Sequence, residues 1–338
     1  MLKLSLFRSA ALALALFALP QDAVARCAGQ NLLADLPAAE SAELADATAA
    51  QPYAQGNLWQ ATKGDRQIYL LGTYHMPDAR HAATLAEVTP LLAGVDTLLV
   101  EAGPEEERAL KHEIASNPGL LFLTEGPSLL ERFGPEEWAG VAAALEARKI
   151  PAVMAAKMRP WYLATMLGIA PCDMAEAQAG RGLDHLVMEQ AAETGVPVRA
   201  LEPYTTLFAI FDELSMEEQI DMLRATLQME PQIADFATTM ADGYFAGDTR
   251  RIWEYMRLSS HDAPGYTPEK AEAEFARMED ILMTRRNKAW IPVIEDATAT
   301  GPTFAAFGAL HLAGKTGVLN LLTEQGWTVE RIALPSEG

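Results

Sequence analysis

Two histidines of the chain share a local setting. His75 closes the stretch Gly72-Thr-Tyr-His75 after the apolar run Gln67-Ile-Tyr-Leu-Leu, and His311 closes Gly308-Ala-Leu-His311 after Thr303-Phe-Ala-Ala-Phe. In each, a strand-like run meets a glycine and a histidine follows three residues later. Glycine lets a backbone turn sharply or approach a ligand closely. Imidazole is the commonest metal-binding side chain and carries protons near neutral pH. More than two hundred residues separate the pair, so only the fold can join them.

Carboxylates end two further strand-like runs: Glu101 follows Thr97-Leu-Leu-Val, and Glu202 follows the run 196–201. In open α/β sheets, ligands bind beyond the carboxyl ends of the parallel strands. A sheet that aligns these four runs brings two histidines and two carboxylates to one edge. That donor set suits a divalent first-row metal in a partly open site. Such an ion acidifies a bound water and polarises a carbonyl, and a glutamate outside its shell would serve as general base.

Each residue also has a plainer use. A strand-end histidine is commonly a hydrogen-bonded structural residue, Glu101 can cap a turn, and Glu202 can cap a helix near Pro203–Thr206. Asp184, in Gly182-Leu-Asp-His, reads first as a residue that starts a helix and second as a member of a site. Arg285 and Arg286 fall on a helix. Either would orient a carboxylate or an anionic tetrahedral intermediate, although surface ion pairing is the default for such residues. His81, His112, His185 and His261 sit in polar helical or loop settings and read as surface residues. The sequence has no GxSxG elbow, P-loop, HExxH or CxxC.

These residues fall on an alternation of strands and helices. Runs 58–62 and 67–72 form a hairpin around the four-residue turn Lys63-Gly64-Asp65-Arg66. A helical pattern at 82–93 and a buried strand at 97–101 complete a βαβ unit. Residues 104–170 read as several helices, punctuated by Gly119, Gly126-Pro127, Gly134-Pro135 and Pro160. A helix at 182–194 stops at Gly195 and is followed by the strand at 196–201. The closing stretch repeats the order strand, GxxH, helix, strand, with the helix at 314–325, Gly326 as its stop and the last strand at 328–332. The expected fold is therefore α/β. Its central mixed or parallel β-sheet has two pseudo-repeated halves, each presenting one GxxH, and a large helical insertion lies at about 205–297.

The ends and the composition bound the setting. Lys3 and Arg8, an apolar run at 10–19 and Ala23-Val24-Ala25 read as a cleavable signal peptide over 1–25, cut after Ala25. The protein is accordingly expected to be periplasmic or secreted. That run is short of the ~20 residues of a membrane helix, and no later segment reaches such a length, so no stable span is expected after signal removal. Arg26 argues against lipid attachment at Cys27. Residues 26–56 read as an N-terminal helical or linker segment, with a helix around 32–50, and Pro52 and Gly56 lead into an α/β domain at 57–335. Cys27 and Cys172 are the two cysteines, and an even count in an oxidising compartment favours one disulfide over two free thiols. A net charge of −20 argues against a nucleic-acid partner. The acidic clusters read as solvated helical faces, and the charge would concentrate cations near a cleft.

The stretches around both histidines resemble the opening and closing motifs of the TraB/GumN family. The first is Tyr69-Leu-Leu-Gly-Thr-Tyr-His75; the second is Phe307-Gly-Ala-Leu-His-Leu-Ala-Gly-Lys-Thr-Gly-Val-Leu319, with Gly326-Trp-Thr-Val-Glu330 downstream. Between them, in the family's order, lie Leu99-Val-Glu101, Arg159-Pro-Trp161, Gly182-Leu-Asp184, Leu201-Glu202, Tyr244-Phe-Ala-Gly-Asp248, and Arg286-Asn287 before Trp290. The resemblance spans about residues 58–332. That family is similar to the Tiki-type metalloproteases and, more distantly, to erythromycin esterases and haem-binding ChaN-like proteins. The resemblance implies an α/β fold in which both GxxH histidines and strand-end glutamates form one site, a divalent-metal-dependent peptidase centre in the Tiki-type members. Carried onto this chain, it points to His75, His311 and Glu101, supported by Arg285 or Arg286 and by Asn287.

The leading expectation is a periplasmic or secreted hydrolase, peptidase-like, that uses a divalent metal (Mn, Co or Zn) and acts on a peptide or small molecule. His75, His311, Glu101 and Glu202 are the expected ligands. Glu101 is also the candidate base, the histidines are candidate proton carriers, and Gly72, Gly308, Asp184 and Asn287 support the site. Two alternatives stand beside it. One is a non-catalytic protein that sequesters a peptide, haem or metal in the same cleft. The other is a metal-free, esterase-like hydrolase that uses His and Glu directly. The oligomeric state is left open.

Overall fold

The structure, a computed structural model, describes residues 27–262 and 267–337; the expected signal peptide at 1–25 and its cleavage point lie outside them. Six strands form one sheet: β1 (Leu58–Lys63), β2 (Arg66–Thr73), β3 (Thr97–Val100), β4 (Val198–Ala200), β5 (Thr303–Gly308) and β6 (Thr328–Ile332). Their order is β4-β3-β5-β2-β1-β6. Neighbours from β4 to β2 run parallel, and β1 runs antiparallel to both β2 and β6. The fold is therefore α/β with a mixed sheet. The β1–β2 hairpin is tighter than expected: Lys63 pairs with Arg66, leaving Gly64-Asp65 as the turn, with Gly64 at φ +62. Two-residue hairpins favour such positive φ values.

The winding of the chain locates a crevice. From β2 the chain passes through the helix His81–Leu92 to β3, beyond β5 on one side. From β5 it passes through the helix Val318–Glu324 to β6, beyond β2 and β1 on the other side. Right-handed crossovers that travel in opposite directions set their helices on opposite faces of a sheet. The two cores follow that rule, because side chains alternate along each strand. On one face Leu71, Leu98, Phe304 and Ala306 pack with Val88 and Leu92 and with Leu183 and Val187 of the helix Leu183–Thr194. On the other, Leu70, Leu99, Ala305 and Phe307 pack with Trp290 and Ile294 of the helix Arg285–Thr300 and with Val318, Leu319 and Leu322. β2 and β5 are adjacent and parallel, yet the chain leaves their ends in opposite directions. The carboxyl ends of such a strand pair form the ligand crevice of open α/β sheets, and His75 and His311 follow these two ends. The two expected halves share the order strand, GxxH, helix, strand.

Apart from the helix Ala38–Ala49, which precedes β1, the remaining α-helices join β3 to β4 and β4 to β5. The expected insertion at 205–297 does not stand alone: Ile220 and Leu223 of the helix Met216–Met229 share a core with Leu129, Phe133, Leu145, Leu163 and Leu167. The helix Leu129–Ala147 kinks at Gly134, where φ is +73 and Pro135 follows. The N-terminal helix covers only Ala38–Ala49, because Pro37 occupies its N-cap in an extended conformation. Cys27 and Cys172 form the expected disulfide. No helix among the described residues is long and apolar enough to cross a membrane.

His81 is a correction to the sequence reading. It is buried at 1% exposure, beside the rings of Tyr74, Tyr244 and Phe245. Its helix buries His81, Thr84, Val88 and Leu92, one stripe of i, i+3, i+4 spacing that the sequence already carried.

Candidate functional site

The two GxxH loops touch because Gly72 lacks a side chain. A Cβ there would lie 2.6 Å from Leu312 Cδ1 and 2.8 Å from Ala309 Cα. The Gly72 carbonyl accepts from Tyr244 Oη at 2.9 Å, and its N–H donates to the Asn57 carbonyl at 2.7 Å. Pairing of Val100 with Ala306 carries Glu101 to the end of β5. There its Oε1 accepts from the Gly308 N–H at 2.6 Å. A Cβ built on Gly308 would lie 3.2 Å from Glu101 Oε1, 3.4 Å from His75 Nε2 and 3.7 Å from His311 Cδ2. The three principal residues thus surround one point in front of Gly308.

His311 is buried, and its tautomer follows from its neighbours. The Asn287 amide nitrogen donates to the Thr316 carbonyl at 2.9 Å, which turns the amide oxygen towards His311 Nδ1 at 2.6 Å. Nδ1 therefore carries the proton, and Nε2 accepts from Arg286 Nη1 at 3.2 Å. Burial, reinforced by the Arg286 charge and opposed by Glu101, pushes His311 down to about 4, so the ring is neutral at pH 7.

Arg286 holds the glutamates together. Its Nη2 lies 2.6 Å from both Glu101 Oε2 and Glu202 Oε1, and its Nε lies 3.0 Å from Glu202 Oε2. Trp290 Nε1 donates to the same Glu202 Oε2 at 2.9 Å, and the guanidinium stands 5.1 Å from the Trp290 ring centre. A π-helical turn, Asp280–Thr284, leads into this helix, and Arg286 Nη1 also donates to the Leu282 carbonyl at 3.0 Å. Burial opposes the charge of Glu101. The neighbouring histidines, Arg286 and the Gly308 N–H outweigh it and hold the carboxyl down at about 2.

His75 stands at the opening, its side chain 61% exposed, with Nδ1 3.3 Å from Asp184 Oδ1. The docking of one loop on another explains this pairing. The Leu183 N–H bonds to the Tyr74 carbonyl at 3.0 Å, and a Cβ on Gly182 would lie 2.3 Å from the His75 carbonyl oxygen. The contacts continue outwards: Asp184 Oδ2 to His185 Nδ1 at 3.1 Å, and His185 Nε2 to Glu107 Oε1 at 3.1 Å. Partial desolvation lowers the affinity of His75 for a proton, but pairing with Asp184 and the charge of Glu101 prevail and hold it up at about 9. Burial likewise opposes the charge of Asp184, but its two histidine partners keep it well below the usual carboxylate range.

His75, His311, Glu101, Arg286, Asn287, Gly72 and Gly308 are therefore brought together. Asp184 lies in the first turn of the helix Leu183–Thr194 without capping it, and its carboxylate lies beside His75 Nδ1. Glu202 caps no helix; Arg286 and Trp290 take up its oxygens. Arg285 is placed outside the cluster, exposed and paired with Asp280 and Glu213. His185, read from sequence as a surface residue, is half-buried in the outer part of the site with Glu107. Its signal was its place next to Asp184 at a helix start.

Of the four expected ligands, His75 Nε2 and Glu101 Oε1 lie closest to the open point in front of Gly308, and no three of His75, His311, Glu101 and Glu202 bring donor atoms within 4.8 Å of one another. His311 Nε2 is engaged by Arg286. Among the described residues, the one group of three metal-capable side chains with donor atoms within 4.8 Å of each other is Cys27, Cys172 and Asp173, whose sulfurs are already bonded to each other.

A model of the TraB/PrgY/gumN family matches residues 57–331, from the strand that carries Trp59 to the last strand of the sheet. The chain is 23% identical over 263 residues to the uncharacterized protein YbaP of Escherichia coli (strain K12) and to its namesake from Shigella flexneri. Those alignments cover 77% of this chain and 89% of each relative.

Proposed function

The chain belongs to the TraB/PrgY/gumN family, and from that premise we propose that it is a divalent-metal-dependent, peptidase-like hydrolase of an oxidising, extracytoplasmic compartment. The observation that carries this reading is the convergence of His75 Nε2, Glu101 Oε1 and His311 around Gly308, at the point where the sheet's winding reverses. When bound, the metal would acidify a water and polarise the carbonyl under attack. His75 and Glu101 would hold it. Glu101, with a pKa near 2, is a ligand before it is a base, since a general base works best with a pKa near the operating pH. Asp184 fixes the ring of His75 and strengthens Nε2 as a donor. Arg286, braced by Glu202 and Trp290, offers a fixed positive charge to an anionic tetrahedral intermediate. The Cys27–Cys172 disulfide supports the choice of compartment.

A second reading, metal-free acid–base hydrolysis, is favoured by the place Arg286 occupies against Glu101 and His311. His75, held at about 9, would then give its Nε2 proton to the leaving group. One experiment separates the readings. The purified protein, His75→Ala and His311→Ala are analysed for bound metal, titrated with Mn²⁺, Co²⁺ and Zn²⁺, and assayed on a peptide library with and without chelator. Stoichiometric metal that is lost in His75→Ala, together with chelator-sensitive turnover, supports the proposal. Turnover that survives chelation selects the metal-free reading, and metal binding without turnover selects a sequestering protein.

A further inference from the structure

We infer that the centre acts beside a large apolar side chain of its substrate, which a cavity next to Arg286 receives; the inference rests on the hydrolase reading above. The cavity has a volume of about 310 Å³ and shares Glu101, Glu202 and Arg286 with the centre. Two helices supply most of its other walls, and Ala102, Pro203, Tyr204 and Leu282 complete them. On Thr206–Asp212 the residues Leu207, Ile210 and Phe211 have i, i+3, i+4 spacing and so lie on one face. On Pro104–Ser116, Leu110 stands one turn after Glu106 and Glu107.

Size and chemistry narrow the occupant. An apolar cavity of about 150 Å³ accepts a benzene molecule, so this one has room for a phenylalanine or tryptophan side chain with some of its backbone. Phe211 is a fixed wall, stacked 4.2 Å from the buried ring of Trp161 with 10° between the planes. Leu207 is 42% exposed, apolar surface that an incoming apolar group would remove from water. The polar groups discriminate by charge. Glu106 caps the Gly103 N–H and Glu107 pairs with His185, so neither is free to turn away. With Glu101 and Glu202 they set four carboxylates against Arg286 around the cavity, which disfavours an acidic side chain.

The test is a set of peptides of one length and one sequence, with a single position varied through Ala, Leu, Phe, Trp and Asp. Cleavage sites are read by mass spectrometry and kcat/KM by initial rates. Cleavage beside Phe or Trp is expected, on the order of 100-fold faster than beside Ala, a scale known for filled apolar subsites, with the Asp peptide slowest. Ile210→Trp, which fills the cavity, should abolish the preference, so that the Phe and Trp peptides no longer outpace the Ala peptide in that variant. Leu207→Glu, at an exposed position that tolerates change, should weaken it. Equal rates across the series, or a preference for Asp, overturn the inference. If no peptide is cleaved the hydrolase reading falls, and binding of N-acetyl-phenylalanine amide decides the cavity separately. Saturable binding that Ile210→Trp removes supports an aromatic subsite, and no binding refutes it.

Discussion

Gly308 has φ −49 and ψ 132, values that alanine adopts without strain, so Gly308→Ala adds one methyl group at the centre and nothing else. The methyl would sit 3.2 Å from Glu101 Oε1 and 3.4 Å from His75 Nε2, inside the ~3.5–4.0 Å of a relaxed contact. Glu101 is tied by the Gly308 N–H and by Arg286, so the exposed His75 is the group that must yield. Two terms in stability oppose each other. Replacing glycine stiffens the unfolded chain and contributes about 0.4–1 kcal/mol, and crowding of the new methyl removes a similar amount. The melting temperature should therefore stay within about 4 °C of wild type. Function should not survive. Displacing reacting groups by about 1 Å costs on the order of 100-fold in rate, and the methyl fills the place where water or metal would stand. Calorimetric titration with Mn²⁺, Co²⁺ and Zn²⁺ should show affinity lost. NMR of the imidazole Cε1–H signals should show the His75 pKa falling from about 9 as its distance from Glu101 grows. Wild-type ion affinity together with an unchanged His75 titration in Gly308→Ala would refute the claim that these groups share one point.

Two further expectations concern stability. His311, held at about 4 against an ordinary 6.5, takes up a proton more readily in the unfolded chain, so stability is complete above about 6.5 and declines as the pH falls towards 4. His75, held at about 9, has the opposite sign: its contribution is complete below 6.5 and is lost as the pH rises to 9. Melting temperature against pH should therefore show a shallower acid slope over this range in His311→Gln and a shallower alkaline slope in His75→Gln, part of the latter remaining with His185, which is also raised; unchanged slopes would contradict the assignments. Cys27→Ser opens a link across a sequence separation of 145 residues and should cost roughly 2–5 kcal/mol in urea unfolding. No change in the unfolding midpoint would show that the N-terminal segment is held by its other contacts alone.

Much of the centre was legible from residue types at strand ends. Gly72 marks the place where one loop meets the other and Gly308 the place where the three side chains converge, and Glu101 follows an apolar run that forms a buried strand. Less legible was what each charge does. Glu202 had the composition of a ligand, but the Arg286 and Trp290 that occupy it come from a helix more than eighty residues away. Arg285 and Arg286 are equivalent in sequence, and the helical twist alone sends one outwards to Glu213 and the other inwards to Glu101. His185 lies beside a candidate but has no local sequence signal of its own, because its partner Glu107 sits on a helix that only tertiary packing brings near.

The position of β5 also has a consequence for biosynthesis. This strand begins at residue 303 of 338, yet it lies between β3 and β2 and so joins the two sides of the sheet. Until it is made, the flanks of β2 and β3 are bare pairing edges, the kind through which incomplete chains aggregate. His311, which completes the centre, arrives just after it. A ribosome-bound or truncated chain thus has neither a closed sheet nor a full set of reacting groups. Synthesis from the N-terminus therefore closes the sheet and completes the centre late, only once β5 and His311 have emerged.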